Sequence, residues 1–472
     1  MHSTEKIYDL AIVGAGIAGM VCAVRASQLG LSVLVLEKSK ADKYMCNTRL
    51  TSGVFHCALQ SPSKASQVLS EKIQTDTDGF ADQDLGSTIA KHSLESIRWL
   101  QSLGVRFIKG SQHYYEYILS PPTLFHQNQN WMNKGGDLLL TNLEKQLTAF
   151  SGQLLRDRQV MHIERSSKDE FHLTCKTSQD LQILVRANNV VLADGGFQSN
   201  TDLLAQGISR HPEKVFQRNA RASMGDGMQM ALQLGASVNT YEGFYGHLLS
   251  RDAFTNEHLW PNPWLDAIAS AGLLLNEHGE RFANEGLGGI FLANQVAKLD
   301  NPLGAYALAD ETIWHERGNL NMQGPNPKLI DAGATVYQSD RLEDLAQRAG
   351  MDATRLVNTV SEYNTQLQNK ALGTLQPERT EDKSPAYPIV TSPFYLFPVC
   401  AGVTYTMGGI LTNANAQVLQ ADHSPMSGLF AVGACTGGLE GGRKTGYVGG
   451  LIKSTVMGLQ AAQFISEQRH AP

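Results

Sequence analysis

The sequence predicts an α/β protein with a largely parallel sheet and a second domain inserted into the first. An apolar run over 8–13, helical apolar spacing over 17–30 and another apolar run over 31–36 indicate a strand, a helix and a strand. Continuous apolar strands are typical of a parallel sheet that is buried on both faces. Glycine-rich segments at both ends of the chain flank a middle of different composition, which predicts one domain closed by both chain ends.

The later elements follow from periodicity and from turn residues. The predicted elements are amphipathic helices over 87–103, 137–150, 225–235 and 342–368, alternating strands over 153–187, a buried strand over 190–192, a proline-rich connection between domains over 377–398, and glycine-punctuated strands with a final helix over 402–463.

Length and composition restrict the function classes. A chain of 472 residues with 44 glycines and 42% hydrophobic residues is globular and long enough for about two domains. A formal charge of −6 gives no positive field for nucleic acid, so a small molecule is the expected partner. Six cysteines without C-x-x-C spacing predict neither a metal site nor a disulfide framework. No signal peptide and no apolar run of roughly 20 residues is found, so we expect a cytoplasmic protein without a membrane span.

The first strand and helix are joined by a dinucleotide-binding fingerprint. Gly14, Gly16 and Gly19 form G-x-G-x-x-G, and Glu37 ends the second strand, where an acidic residue holds a ribose hydroxyl. Gly14 permits the turn, Gly16 lets the backbone approach a pyrophosphate, and Gly19 lets the helix pack on the strand. The fingerprint predicts a bound dinucleotide but does not separate FAD from NAD.

Segments elsewhere in the chain resemble flavoprotein elements. Glu37-Lys38, followed by a polar stretch that includes Asn47, is similar to the first unit of flavoproteins. Residues 191–197 resemble their A-T-G-G-F element, and residues 428–434 resemble the late G-L-x-x-x-G-E element along the ribityl chain. These matches in order imply FAD.

With residues 225–227, 281–285 and 405–409, these segments resemble the fumarate reductase and succinate dehydrogenase flavoprotein superfamily. The pattern is most similar to tricarballylate dehydrogenase-like and 3-ketosteroid dehydrogenase-like flavoproteins. The resemblance implies a Rossmann-like FAD-binding domain over 1–242 and 386–472, with an inserted α+β capping domain over 243–385 that closes over substrate. The cofactor residues it implies are Gly14, Gly16, Ala18, Gly19, Glu37, Lys38, Asn47, Thr48, Ser52, Gly53, Val160, Ala193, Asp194, Gly195, Asp226, Gly433 and Ala434.

The chain also departs from the family pattern. Fumarate reductases carry an arginine proton donor after the R-F-x-N-E element, where this chain has Gly289, and a histidine where it has Tyr405. Asp194 replaces a threonine and Ala434 a glutamate among the cofactor residues. No histidine stands in the loop around Thr48, where covalently flavinylated relatives have one, so we expect noncovalent FAD.

The resemblance implies dehydrogenation of a CH–CH bond next to a carboxylate or ketone. One hydrogen leaves as a proton and its neighbour as a hydride to flavin N5. Tyr405 is the expected proton acceptor or donor, and because a phenol has a pKa of about 10, Arg443 and Lys444 are expected to lower it and to clamp a carboxylate. The predicted catalytic residues are Tyr405, Arg443 and His247, and the predicted substrate contacts are Tyr405, Thr406, Lys444, Tyr447 and His126. For Tyr405 and His247, a buried structural role is the alternative.

Two other functions stay open at this point. The chain could act as a fumarate reductase-like enoate reductase. The changes at Gly289 and Ala434 also leave open a noncatalytic subunit that binds flavin and transfers electrons. A nicotinamide-dependent dehydrogenase would leave the late glycine-rich segments unexplained. The sequence has neither C-x-x-C-H nor a cysteine cluster, so a separate electron donor or acceptor is expected.

Overall fold

The computed structural model describes residues 2–110, 113–123, 130–319 and 324–469. The strands are β1 (His2–Val13), β2 (Val33–Leu36), β3 (Val54–Phe55), β4 (Phe107–Ile108), β5 (Tyr117–Leu119), β6 (Gln153–Leu155), β7 (Gln159–Arg165), β8 (Phe171–Lys176), β9 (Gln182–Leu192), β10 (Phe216–Gln217), β11 (Phe244–Ser250), β12 (Leu273–Leu275), β13 (Ala305–Ala309), β14 (Tyr337–Ser339), β15 (Phe394–Thr406), β16 (Gln417–Leu419) and β17 (Pro425–Ala431). The α-helices are α1 (Ile17–Gln28), α2 (Asn47–Leu50), α3 (Ser66–Asp76), α4 (Gln83–Ser102), α5 (Gly135–Ala149), α6 (Thr201–Gly207), α7 (Asp226–Gln233), α8 (Asp266–Ala271), α9 (Gly289–Ala297), α10 (Glu311–Gly318), α11 (Lys328–Asp331), α12 (Leu342–Ala349), α13 (Ala353–Gln368) and α14 (Gly450–Arg469).

The first sheet carries the predicted strand–helix–strand unit. Its order is β16-β17-β9-β1-β2-β6, with β8 beside β9 and β7 beside β8. The pairs β1–β2, β1–β9, β2–β6 and β9–β17 are parallel. All four residues of β2 are buried, and α1 packs against α5 and α14. The α/β class predicted from the buried apolar runs is therefore confirmed.

The second sheet is organised around one long strand. Strand β15 pairs antiparallel with β11, β13 and β14 and parallel with β10, and β12 extends the sheet from β13. Strands β11 to β14 lie within the predicted capping domain 243–385, whereas β10 and β15 lie outside those limits. The domain boundaries stay a prediction. The second sheet contains strands from both the predicted capping domain and the predicted FAD-binding domain. A small third sheet has the order β3-β5-β4.

Two predicted elements differ from the structure. The helix predicted over 342–368 is two helices, α12 and α13, because Gly350 ends α12 in the left-handed conformation with φ +73°. The connection predicted over 377–398 already contains the start of β15, in which Pro398 lies opposite Tyr306. The other predicted helices and the strand over 190–192 are present, with ends shifted by a few residues.

None of the helices in the described parts of the chain is both long and apolar enough to cross a membrane. In those same parts, no group of three or more His, Cys, Asp or Glu side chains is arranged to hold a metal ion.

A buried ion cluster ties the R-F-x-N-E element to the second sheet. Glu285 lies 2.5 Å from Arg281 and 3.8 Å from Arg379, and the side chains of all three are at most 4% exposed. Arg281 also donates to the Pro377 carbonyl, and Arg379 to the Ser270 carbonyl. Removing one charge of such a cluster leaves the others buried without a counter-charge.

We expect Glu285→Gln to lower the free energy of unfolding by about 3 kcal/mol, because two buried guanidinium groups lose their counter-charge. Urea unfolding followed by circular dichroism checks this. Glu343→Gln is the matched control, because Glu343 forms an exposed pair with Arg341 and such pairs contribute about 0–1 kcal/mol. Equal urea midpoints for the two variants would contradict the structural role of Glu285.

Candidate active site

A deep cavity begins where three parallel strands of the first sheet end. Its volume is about 2030 Å³, including its part open to solvent, and its wall includes Val13 and Leu36, the last residues of β1 and β2, and Ala193, which directly follows β9. The carboxyl edge of a parallel sheet is where open α/β folds bind ligands. The cavity continues past this edge to residues of the second sheet, including Tyr245 and Tyr405.

The glycine turn between β1 and α1 is built for close backbone approach. Gly14 has φ +100°, and a Cβ atom placed there would lie 2.6 Å from the Ala193 carbonyl oxygen. A Cβ atom on Gly19 would lie 2.1 Å from the Gly14 carbonyl oxygen, so only glycine lets α1 pack on β1. Gly16 begins α1 without a side-chain cap and faces the cavity. The N–H groups of a helix start, with their positive dipole end, thus face a space that fits a pyrophosphate.

Side chains from β2 and α2 hold this turn in place. Glu37 accepts hydrogen bonds from the Ala15 N–H at 3.2 Å and, through its other oxygen, from the Ser39 N–H at 2.9 Å. The Thr48 hydroxyl oxygen accepts the Ile17 N–H at 3.0 Å. Asn47 donates to the Thr404 carbonyl at 2.8 Å, which joins this region to β15. These residues shape the wall on which the ribose and phosphates of a dinucleotide fit.

Asp194 is an unusual group on this wall. Its Oδ2 accepts the Gly227 N–H at 2.8 Å, but its Oδ1 has no hydrogen-bond partner although it is buried. Burial raises the pKa of Asp194 to about 6, with Asp226 as a further negative neighbour. Lys38 lies 3.7 Å from Asp226 and donates to the Ala222 carbonyl rather than to Asp194. An orphaned oxygen on the cavity wall is a group that a ligand hydroxyl or N–H would satisfy.

Most of the predicted cofactor residues line the cavity. These are Gly14, Gly16, Ala18, Glu37, Lys38, Asn47, Thr48, Ser52, Val160, Ala193, Asp194, Gly195, Asp226 and Ala434. Gly19, Gly53 and Gly433 lie behind the wall, where a Cβ atom on Gly433 would meet the Ala18 side chain at 2.7 Å. The arrangement fits FAD along the sheet edge.

The closed end of the cavity contains a buried tyrosine, carboxylate and ammonium cluster. The Tyr405 hydroxyl donates to Glu440, with its oxygen 3.0 and 3.1 Å from the two carboxylate oxygens. Glu440 also accepts the Val448 and Gly449 N–H groups, and lies 2.7 Å from the Lys453 ammonium. Every donor that a buried carboxylate requires is therefore present.

This cluster fixes the protonation states of its members. Burial, followed by the Glu440 charge, raises the pKa of Tyr405 well above its usual value. Burial alone would favour neutral Glu440, but Lys453 and the two N–H groups hold its pKa below the ordinary value. Tyr405 is thus a neutral phenol whose own hydrogen points to Glu440, which leaves its oxygen lone pairs free for the cavity.

A second polar chain reaches the cavity through Tyr245, which lies opposite Tyr405 in the β11–β15 pairing. The Tyr245 ring stacks on Tyr447 at 4.0 Å, and its hydroxyl lies 3.0 Å from His247 Nε2. His247 Nδ1 lies 2.7 Å from Asp266 Oδ2, and the imidazole stacks on Trp264 at 3.7 Å. Burial lowers the pKa of His247 and raises that of Tyr245 to about 12.

Asp266 also occupies the space beside Gly289. A Cβ atom on Gly289 would lie 2.1 Å from Asp266 Cγ, so no larger side chain fits there in this packing. Arg218 is a cation on the cavity wall that donates to the Pro261 carbonyl and to the Thr404 hydroxyl and lies over the Trp264 ring. The arrangement places a carboxylate where the fumarate reductase pattern has an arginine.

The structure does not bring Arg443 and Lys444 to Tyr405. Both lie in a tight turn closed by the Gly441 N–H to Gly446 carbonyl bond, and their side chains point away from the cavity. The Arg443 side chain is 90% exposed and lies 3.3 Å from Asp78, and Lys444 lies 3.1 Å from Asp382. The expectation that they lower the pKa of Tyr405 is therefore wrong, since its charged neighbours are Glu440 and Lys453.

The other predicted residues have separate positions. Tyr447 lines the cavity, whereas His247 lies one layer behind Tyr245. The Thr406 hydroxyl accepts the Phe197 N–H at 3.0 Å and so joins β15 to the segment that follows β9. His126 lies outside the described residues.

Sequence reasoning missed four residues of the closed end. Tyr245, Arg218, Glu440 and Lys453 come from separate segments and meet only in the folded chain. One signal was available for Tyr245, because residues two apart on a strand share a face and His247 was already a candidate. A second was Glu440, a lone carboxylate within the glycine-rich stretch 437–442.

Comparison with known proteins identifies the family. The family model described as FAD binding domain (FAD_binding_2) matches residues 9–447. The chain is 24% identical over 500 residues to vinyl phenol reductase of Lactiplantibacillus plantarum, a match that covers 98% of this chain and 97% of that protein. It is 24% identical over 382 residues to NADH:acrylate oxidoreductase of Vibrio harveyi, which covers 79% of this chain but only 36% of that longer protein.

The fold also matches solved structures. That of 3-ketosteroid-delta4-(5alpha)-dehydrogenase from Rhodococcus jostii RHA1 superimposes with a TM-score of 0.73 at 19% identity, covering 98% of this chain and 97% of that one. The resemblance drawn from the sequence motifs is confirmed, and with it FAD as the cofactor. Since the family model spans nearly the whole chain, this protein belongs to the FAD binding domain family of fumarate reductase-like flavoproteins and is an FAD-dependent oxidoreductase.

Proposed function

We propose that this oxidoreductase acts on a CH–CH bond next to an uncharged carbonyl group, with Tyr405 as the residue that exchanges the proton. The observation that carries the proposal is the closed end of the cavity, where Tyr405 meets Glu440 and Lys453 among aromatic walls. The same site serves dehydrogenation and, run in reverse, reduction of the conjugated double bond.

FAD would be held noncovalently by the glycine turn, Glu37, Thr48 and the Asp194 region. When bound, it supplies the acceptor or donor of the hydride. The protein supplies position and proton management. Backbone N–H groups at the start of α1 would bind the diphosphate, and Gly450 and Lys453, at the start of α14, lie on the cavity wall beside Tyr405.

Tyr405 is suited to exchange a proton without becoming a free phenolate. Its hydrogen is already donated to Glu440, so its oxygen can accept a proton from a substrate carbon while its own proton moves to the carboxylate. Lys453, 2.7 Å from Glu440, balances the carboxylate charge in the resting cluster, and the cluster carries one positive charge while Glu440 holds the proton. In the reductive direction the same atoms return the proton to carbon.

The aromatic walls of the cavity and the absence of an arginine at Gly289 favour an uncharged substrate over a dicarboxylate. Asp266 fills the space beside Gly289, and the guanidinium of Arg218 is already engaged by Pro261 and Thr404. Aromatic rings of Tyr245, Tyr447 and Trp264 line the same end. Flat apolar walls with few hydroxyl groups suit a cyclic ketone, an enone or a phenolic ring better than a polyanion. The vinyl phenol reductase and the ketosteroid dehydrogenase similarities support this choice.

A separate molecule would carry electrons to or from FAD. The described residues hold no cysteine cluster for a further redox centre, and the six cysteines are free. Unpaired thiols, five of them buried, suit a reducing compartment, which supports a cytoplasmic location.

Asp194→Asn is expected to stabilise the FAD-free protein at pH 7.5 and to leave it unchanged at pH 4. The folded pKa of about 6 lies above the ordinary value, so stability is lost as pH rises through this range, when a buried carboxylate must ionise. The rise of the Asp194 pKa from its ordinary value to about 6 corresponds to at most about 3 kcal/mol of stability. Urea midpoints at the two pH values measure it, with the exposed Asp180→Asn as control. A gain of the same size at pH 4 would contradict the assignment.

Tyr405→Phe is expected to lower kcat by about 10²- to 10⁴-fold with little change in FAD content, because it removes the proton-exchanging oxygen but keeps the ring. The assay is anaerobic bleaching of flavin absorbance by cyclic ketones, and recolouring of the reduced protein by enones or vinyl phenols. Fumarate, succinate and tricarballylate serve as the charged comparison set and should react at least about tenfold more slowly.

Tyr363→Phe is the matched control for Tyr405→Phe. Tyr363 is also buried and donates its hydroxyl to a carbonyl, that of Tyr387, at a site distant from the cavity. Normal turnover by Tyr405→Phe, or faster reaction with dicarboxylates than with ketones and enones, would contradict the proposed function.

A further inference from the structure

The cluster of Tyr405, Glu440 and Lys453, which exchanges the proton in the proposed function, is buried away from solvent. Tyr405 is 6% exposed, and Glu440 and Lys453 are each 1% exposed. A reaction that removes or adds one proton in every turnover must exchange that proton with water. Once substrate and FAD fill the cavity, the Tyr405–Glu440–Lys453 cluster therefore needs a route through other polar groups.

Tyr245, His247 and Asp266 form such a route. A carboxylate accepts hydrogen bonds but does not donate them, so His247 Nδ1 carries the hydrogen that lies between it and Asp266 Oδ2 at 2.7 Å. His247 Nε2 is then an acceptor, and it takes the hydrogen of the Tyr245 hydroxyl 3.0 Å away. The Tyr245 oxygen keeps lone pairs for the cavity, beside Tyr405, with the two ring centroids 5.3 Å apart.

The two ends of this chain lie in different environments. Tyr245 lines the cavity, whereas Asp266 does not and has 21% of its side chain exposed. Between them His247 is buried and stacked on Trp264 at 3.7 Å, which fixes the plane of the imidazole. The Leu248 N–H, at 2.8 Å from Asp266 Oδ1, fixes the carboxylate. The three groups therefore connect a hydroxyl on the cavity wall to a carboxylate that is partly exposed to solvent.

Gly289 belongs to the same arrangement. Its missing side chain leaves the space that the Asp266 carboxylate fills, where the fumarate reductase pattern carries its arginine proton donor. The Asp266 carboxylate therefore lies beside the position at which the fumarate reductase pattern has its arginine.

We propose that Tyr245, His247 and Asp266 form a proton relay between the substrate cavity and solvent. The inference rests on the proposed function. During dehydrogenation Tyr405 passes the proton taken from substrate to the neighbouring Tyr245 oxygen and regains its own proton from Glu440, while the Tyr245 proton moves to His247 Nε2 and the Nδ1 proton moves to Asp266 and on to water. One proton enters and one leaves, and no electrons move along the chain. Reduction runs the same transfers in reverse. Tyr245, which touches the cavity, is a catalytic residue, and His247 and Asp266 act through it.

The test uses the FAD-loaded protein and the substrate found to bleach it fastest. Tyr245→Phe and His247→Gln are each expected to lower kcat by about tenfold or more, with KM changed less than about twofold. The solvent deuterium isotope effect on kcat should rise in His247→Gln, because proton exchange becomes the slow step. Asp266→Glu, which keeps the carboxylate, should retain more activity than Asp266→Asn.

Tyr395→Phe is the matched control. Tyr395 stacks on Trp314 at 4.5 Å and donates its hydroxyl to the Glu311 carboxylate at 2.6 Å, like Tyr245 in kind, but it lies away from the cavity. Its replacement should leave kcat and the isotope effect unchanged. FAD content and melting temperature are measured for every variant, and Asp266→Glu provides a test even where Asp266→Asn loses stability.

Unchanged kcat in Tyr245→Phe, or an unchanged isotope effect in a folded His247→Gln, would overturn the relay. A kcat loss in Asp266→Glu as large as that in Asp266→Asn, with normal stability, would also count against it. Failure of the proposed function looks different, because the unaltered protein would then not react with any ketone or enone.

Discussion

The position of strand β15 determines where Tyr405 lies at the closed end of the cavity. Over Phe394–Thr406 the strand pairs with four other strands of the second sheet, and its last residue contacts the segment that follows β9 of the first sheet, where the Thr406 hydroxyl accepts the Phe197 N–H at 3.0 Å. Tyr405 precedes that contact. Its position is therefore set by a backbone ladder on one side and by the flavin-binding sheet on the other, so it cannot shift without breaking both.

The chemistry follows from how charge is buried next to this strand. A carboxylate in a closed space requires full hydrogen bonding and a counter-charge. Glu440 has both, from Tyr405, two backbone N–H groups and Lys453. The result is a phenol with a raised pKa, which in the proposed function passes its proton to a neighbour and does not stand as a phenolate. Tyr245 lies on β11 opposite Tyr405, and its hydroxyl likewise has a hydrogen-bonding neighbour, His247.

Much of the cofactor site could be predicted because its requirements are local. The turn at Gly14 and the close approach at Gly19 arise within one strand–helix unit, so the sequence carries them directly. The reacting end could not be predicted in the same way. Tyr245 faces Tyr405 through strand register, and Glu440 meets Lys453 through the start of α14, neither of which is visible in spacing along the chain. Arg443 was assigned from its place in a family pattern, but the tight turn that carries it directs its side chain outward.

A crystal structure of the FAD-loaded protein with an unreactive cyclic enone analogue tests the central claim most directly. The account predicts the ligand between the flavin ring and the walls formed by Tyr245 and Tyr447, with the Tyr405 oxygen within about 3.5 Å of a carbon next to the carbonyl. A ligand bound at the closed end but out of contact with Tyr405, or an isoalloxazine that lies away from Tyr405 and Tyr447, would contradict it.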